Sequence, residues 1–165
     1  MDNEALNDVR IDAHKRQFWI VLWGDPTHSP DEDAQVFDEP FYDQGLTRDV
    51  SDMKVGDILF VHRIKISKII FVGEVVGESR KSTQEEIAKE DWRNHWTWSV
   101  RLKNLTPMYG RYWKRRAQKT FTLKDEYNDR NPQNPVTIGA LQHGSHLRIP
   151  EGFAKFLLSD IIKLG

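Results

Sequence analysis

Three tryptophans stand within seven positions in EDWRNHWTWSVRLK, residues 90–103, between an acidic step and a basic run. An indole offers a large flat face and a single N–H donor, which suits stacking on a planar ring as well as core packing. A second cluster follows at 109–119, where Arg111, Lys114, Arg115 and Arg116 interleave with Tyr109, Tyr112 and Trp113. Cations among aromatic rings are the make-up of a surface that holds phosphates and stacks bases. Side chains able to bind metal or move protons are plentiful, yet their spacing is wrong for it. His28, His62, His95, His143 and His146 form no HExxH motif and no set of two histidines and a carboxylate. His143 and His146 flank Gly144-Ser145 in a loop, a poor arrangement for a ligand pair. The chain has no cysteine, which excludes disulfides, thiolate catalysis, zinc ribbons and iron–sulfur clusters.

Strands dominate the elements that must position these residues. Phe18 to Trp23 is aromatic and branched and stops at Gly24-Asp25-Pro26, so it reads as a buried strand ending in a turn. Residues 25–52, rich in Asp, Glu and Pro with Phe37, Phe41 and Tyr42 among them, read as a long functional loop or short irregular helices. Lys54-Val55-Gly56-Asp57 is a turn feeding a strand from Ile58 to His62, and Lys68 to Val76 is another strand, with Gly73 marking a bulge or bend. Ser82 and Glu85 have the spacing of a capping box, which predicts a short helix over 83–90. Phe121-Thr122-Leu123 suits a short strand, and Asn131 to Pro135 a loop. From Pro150 to Leu164, a proline start and a stripe of Phe153, Phe156, Leu157, Ile161 and Leu164 predict a final helix. Met1 to Arg16 reads as an N-terminal extension or short helix, with one domain over 17–165. The fold class is α+β, mainly β: a small curved barrel decorated by helices, since strands and helices do not alternate regularly.

The tryptophans divide on this frame. From Trp96 onward, Trp96, Trp98, Val100 and Leu102 alternate with Thr97, Ser99, Arg101 and Lys103, which points the first set into a core. Trp92 precedes the strand, flanked by Asp91 and Arg93, and is open to two readings, anchor or stacking platform. Trp23 is open in the same way, at a strand end beside a glycine that lets a backbone come close.

Charge adds a second asymmetry beneath a net of −1. Residues 1–60 carry 14 acidic and 5 basic side chains, a net of −9, and residues 80–119 carry 11 basic and 4 acidic, a net of +7. The basic block would attract phosphates unless the acidic block neutralises it across the fold. No apolar run reaches the roughly 18 residues of a membrane span, and the acidic N-terminus is unlike a signal peptide, so a soluble cytoplasmic protein is the expectation.

The segments FWIVLWGDP, MKVGDILFVH, KIIFVGEVV, WRNHWTWSVRLKNLTP, NPVTIG and IPEGFAKFLL occur in this order across residues 17–162. In order and spacing the chain resembles the PUA-like superfamily, closest to its EVE and YTH branch. The resemblance implies a curved barrel of five or six strands packed by helices, with a pocket for an extruded modified base. YTH domains recognise N6-methyladenine in RNA through an aromatic cage; EVE-like modules in prokaryotes are associated with modified DNA bases, often as specificity domains of modification-dependent restriction systems. By position it implies a pocket lined by Trp23, Gly24 and Asp25, with an aromatic of the following loop (Phe37, Phe41 or Tyr42) as one wall and Trp92 as another. Phosphate contacts would fall to Arg93, Arg111, Lys114, Arg115 and Arg116. The partner would be nucleic acid carrying a modified base, DNA or RNA, with an effector nuclease or NTPase as a further subunit or fused domain. No cofactor, metal or membrane contact is implied. Three departures from the YTH pattern, namely Trp23-Gly24 for a lysine–serine pair, no loop tryptophan, and Ala140 for an arginine, favour the EVE-like reading with an unspecified base. Two rival classes are weighed beside it: an ASCH-like small hydrolase, and a protein-interaction module using the acidic half.

Overall fold

Strand β1 (Phe18–Trp23) is buried on both faces along almost its whole length, as a continuous apolar run requires when neighbours lie on each side. In this computed structural model, which describes residues 4–23, 39–63, 68–106, 123–133 and 146–164, β1 pairs in parallel with β3 (Ile58–Arg63), from Phe18 opposite Ile58 to Trp23 opposite Arg63. Its other edge takes β7 (His146–Ile149), antiparallel. The remaining strands are β2 (Phe41–Leu46), β4 (Lys68–Val75), β5 (Arg80–Lys81) and β6 (Trp98–Asn104). They complete a seven-stranded sheet of order β2-β6-β4-β3-β1-β7, with β5 paired to β6. The sheet curls far enough for β2 to meet β1: Gln44 Nε2 donates to the Leu22 carbonyl at 2.7 Å, and Trp23 packs edge-on against Tyr42 at 5.7 Å. The fold is thus α+β, a curved barrel-like sheet with helices around it, as the strand-rich sequence predicts.

The turn before β3 is built as the sequence predicts. Gly56 has φ +93°, a conformation side chains other than glycine rarely take. The next residue, Asp57, is 4 % exposed. Its carboxylate accepts from the Lys54 amide, from Gln17 and from Trp19 Nε1, at 2.9–3.0 Å, and so ties the turn to the start of β1. The irregularity expected at Gly73 is elsewhere: the β3–β4 register shifts between Val61 and His62. Gly73 serves close approach instead. A Cβ there would lie 2.8 Å from the Tyr42 hydroxyl and 2.9 Å from Leu102 Cδ1.

Five α-helices are described: α1 (Glu4–Ile11), α2 (Gln84–Lys89), α3 (Trp92–His95), α4 (Leu123–Arg130) and α5 (Glu151–Leu164). The predicted final helix is present, and Phe153, Leu157 and Ile161 are buried on it. Of the two readings of the N-terminal segment, residues 4–15 take that of a short helix and not of a loose extension. Leu6 and Ala13, in α1 and the 3-10 turn Ala13–Lys15 after it, are fully buried in the main core. Apolar residues only at Leu6, Val9 and Ile11 understate this, because the helix owes its order to partners elsewhere in the chain.

Four further differences have local causes. The loop expected over 25–52 contains strand β2, whose Asp, Gln and Gly hide it from a β-propensity reading. Residue Leu123, expected in a strand, begins α4, while Phe121 and Thr122 lie outside the described residues. The capping box belongs to Thr83 and Glu86, one position on from Ser82 and Glu85. Short strands β5 and β7 have too few residues to show a period. Among the described residues, no helix is long and apolar enough to cross a membrane.

Candidate nucleic-acid interface

The segment carrying Trp92 and Trp96 lies over one face of β2 and β6. Its start is set by the cap: Glu86 N–H donates to Thr83 Oγ1, and Glu86 Oε1 accepts the Thr83 N–H in return. Both Nη atoms of Arg80 donate to Glu86, at 2.7 and 2.6 Å. Arg80 first, then the Thr83 amide, holds the Glu86 carboxyl far below the usual carboxylate range.

Arg93 is the pivot of this region and is 2 % exposed. Its Nη2 donates to Asp43 Oδ2 at 2.7 Å, its Nε to Glu90 Oε1 at 3.1 Å, and its Nη1 to Ser82 and Ser99 Oγ at 3.0 and 3.4 Å. Arg101 Nη1 donates to the second Asp43 oxygen at 3.2 Å. Three arginines (80, 93, 101) thus face three carboxylates (Asp43, Glu86, Glu90), so the cluster is charge-balanced. This corrects the expectation that Arg93 grips phosphate. Its Nε and both Nη atoms are already used, and withdrawing it would break its pairs with the partly buried Asp43 and with Glu90.

Trp92 is held from three sides. Its Nε1 donates to Glu90 Oε2 at 3.0 Å, and the Arg93 guanidinium lies over its ring, 4.3 Å from the centroid. A Cβ on Gly45 would sit 3.1 Å from Trp92 Cζ3. The ring remains only partly buried. With its N–H used and one face taken by a guanidinium, such an indole can stack but has no donor left to offer.

Trp96 departs from the alternation that placed it in the core. It caps α3 before β6 begins, and its own Cβ would be 2.8 Å from a Cβ on Gly45, which puts it beside Trp92. Trp98 is the first residue of β6 and packs against the core while staying partly exposed, so it is a rim residue and not a mid-strand one. Val100 and Leu102 are buried as expected.

The other expected pocket residues separate along β2. Tyr42 is 5 % exposed within the core, and burial pushes its hydroxyl well above the ordinary tyrosine value. Phe41 points the opposite way, 45 % exposed, with Arg101 5.9 Å from its ring centroid. Trp23 touches Tyr42 on the core-facing side. Trp92 meets Gly45, which alternation puts on the other side. Trp23, Tyr42 and Trp92 are therefore not three walls of one cage, which corrects that expectation. Gly24, Asp25 and Phe37 lie outside the described residues, as do Arg111, Lys114, Arg115 and Arg116 with their interleaved aromatics, and Ala140. His143 lies outside too, while His146 packs edge-on to Trp19 at 5.9 Å. Among the described residues, no three His, Asp or Glu side chains are grouped to hold a metal.

Sequence reasoning missed Asp43, Gly45, Glu90, Ser82 and Ser99. Glu90 carried a signal, three residues before Arg93 at helical spacing. Gly45 carried a weaker one, because a glycine inside a strand marks close approach.

No family model and no curated protein matches the chain. Among solved structures it is similar to the YTH domain of the Zygosaccharomyces rouxii MRB1 protein, determined in complex with N6-methyladenosine RNA. That likeness has a TM-score of 0.48 and 11% identity, over 88% of this chain and 86% of that one.

Proposed function

We propose that this chain is a non-catalytic nucleic-acid-binding module that accepts a modified base, with Trp92 as its stacking wall. The observation that carries the reading is an indole fixed in place yet partly open. Ordering a loose side chain on binding costs about 0.5–1.5 kcal/mol; here folding has already ordered it, through Glu90, Arg93 and the contact at Gly45. Each base–aromatic stack contributes about 1–3 kcal/mol, against a few kcal/mol to extrude a base from its stack. A methyl group adds apolar contact with the ring. In this reading the basic run from Arg111 to Arg116 holds phosphates. By resemblance, such a module would serve as the specificity part of a modification-dependent nuclease.

The test is a binding panel of DNA and RNA oligonucleotides carrying methylated or hydroxymethylated cytosine or methylated adenine, with unmodified controls. The protein should prefer one modified oligonucleotide, and Trp92→Ala should remove the preference with little change in melting temperature. Equal binding to all oligonucleotides, or a preference that survives Trp92→Ala, would sink the reading.

A further inference from the structure

A cleft of about 420 Å³ opens where the start of β1 meets the end of β7 and the first turn of α5. It is separated from Trp23 by the length of β1. Three donor groups without partners among the described residues border it. The first is Arg148, exposed on β7, whose guanidinium has no ion pair or hydrogen bond among the described residues. The neighbouring Arg16 is already committed to Asp12 and Glu74, so among the described residues Arg148 is the cation of the cleft left without a partner. The second is Tyr127 of α4. It is 4 % exposed, its ring packs edge-on to Phe153 at 5.0 Å, and its hydroxyl bonds to no described residue. The third is the N-terminus of α5, a 14-residue helix. Pro150 precedes it and has no side-chain oxygen, and no described side chain accepts from the N–H groups of Glu151, Gly152 and Phe153. Pro150 and Glu151, at the start of this helix, line the cleft. Glu151, in the same turn, has its carboxylate drawn to Lys155 at 3.5 Å.

We infer that this cleft is a second binding site, one that takes a phosphate group. A guanidinium fork, a phenol and a row of helix N–H groups differ in direction, which suits a tetrahedral oxyanion better than a planar carboxylate. The helix dipole adds to the Arg148 charge at the same end. The phosphate comes either from the backbone of a bound strand or from a free phosphate or mononucleotide. The site does not depend on the reading of Trp92.

Amide signals of the full chain are followed by NMR during titration with inorganic phosphate, and affinity for an unmodified oligonucleotide is measured alongside. Gly152 and Phe153 should shift with phosphate. Arg148→Ala should weaken phosphate binding at least tenfold, Tyr127→Phe about threefold to tenfold, and Arg148→Lys should restore part of the loss. Both sites tolerate the change: Arg148 is exposed, and phenylalanine keeps the ring that packs on Phe153. If the source is a strand, Arg148→Ala also weakens modified and unmodified oligonucleotides by one factor, and phosphate competes with both. If the source is free, oligonucleotide binding is unchanged while phosphate binding falls. Absence of shifts at Gly152 and Phe153, or undiminished phosphate binding by Arg148→Ala, overturns the site. Neither result alters any preference for a modified base, so this site and the Trp92 wall fail separately.

Discussion

Strand β2 divides two environments only a backbone's thickness apart. On one side Tyr42, Gln44 and Leu46 turn toward a core in which Val100, Leu102 and Val75 are each 1 % exposed or less. On the other, Asp43 and Gly45 lie beneath α2 and α3, in a charge-balanced lattice centred on Arg93. The apolar side is held by area removed from water, which has no preferred direction and accepts many shapes of about the right volume. The polar side is held by hydrogen bonds of fixed geometry, where loss of one partner strands the others. The difference explains why an indole could be presented on the polar side: directional contacts orient a ring, whereas apolar packing would simply cover it.

The largest effect should come from breaking the polar side. Arg93→Ala should destabilise by about 3–5 kcal/mol, because it removes the buried cation that Asp43 and Glu90 share and leaves Asp43 only the more exposed Arg80 and Arg101. On the apolar side Leu102→Ala should cost a similar 2–5 kcal/mol or so. Conservative replacements separate the two. Leu102→Met should cost less than about 1.5 kcal/mol, while Arg93→Lys should recover little, since an ammonium cannot reproduce the fork. Chemical denaturation of the four variants measures this. Equal mildness of both conservative changes would erase the contrast.

Next come the two glycines, one on each side. Gly45→Ala drives a methyl against Trp96 Cβ at 2.8 Å, and Gly73→Ala drives one against the Tyr42 hydroxyl at the same distance. Each should cost about 1–3 kcal/mol. Only Gly45→Ala should also reduce discrimination for a modified base, because it moves Trp92. Equal binding losses in the two variants would mean that stability, and not the ring, controls affinity.

The smallest effect is on pH. Burial, then Arg48, holds His146 below the ordinary imidazole value. The unfolded chain therefore binds that proton first as pH falls. The contribution is complete above about pH 6.5 and is lost as pH drops toward the lower folded value. Glu86 behaves likewise, but from about pH 4.3 downward. Melting temperature should thus fall between pH 7 and 5.5, and His146→Gln should flatten that slope. An unchanged slope in the variant would assign it to another group.

Strands β1, β3, β4 and β6 and the last helix were legible because their cause is local. Phe18 to Trp23 is an unbroken apolar run, Gly56-Asp57 is a turn by its chemistry, and the stripe from Phe153 to Ile161 repeats at helical spacing. The sequence by itself therefore determined four of the strands of the curved sheet and the final helix. It also determined that Trp92 stands apart from the alternating face of β6. Tertiary structure alone decided what became of Arg93, whose strongest partner, Asp43, is 50 residues away. It decided as well that Trp96 joins Trp92 over Gly45, and that Tyr42 turns to the core while Phe41 turns out. Periodicity records what a residue's chain neighbours bury. It carries no record of the register that sets Gly45 opposite Ser99, and that register is what brings a carboxylate, a glycine and an indole to one place.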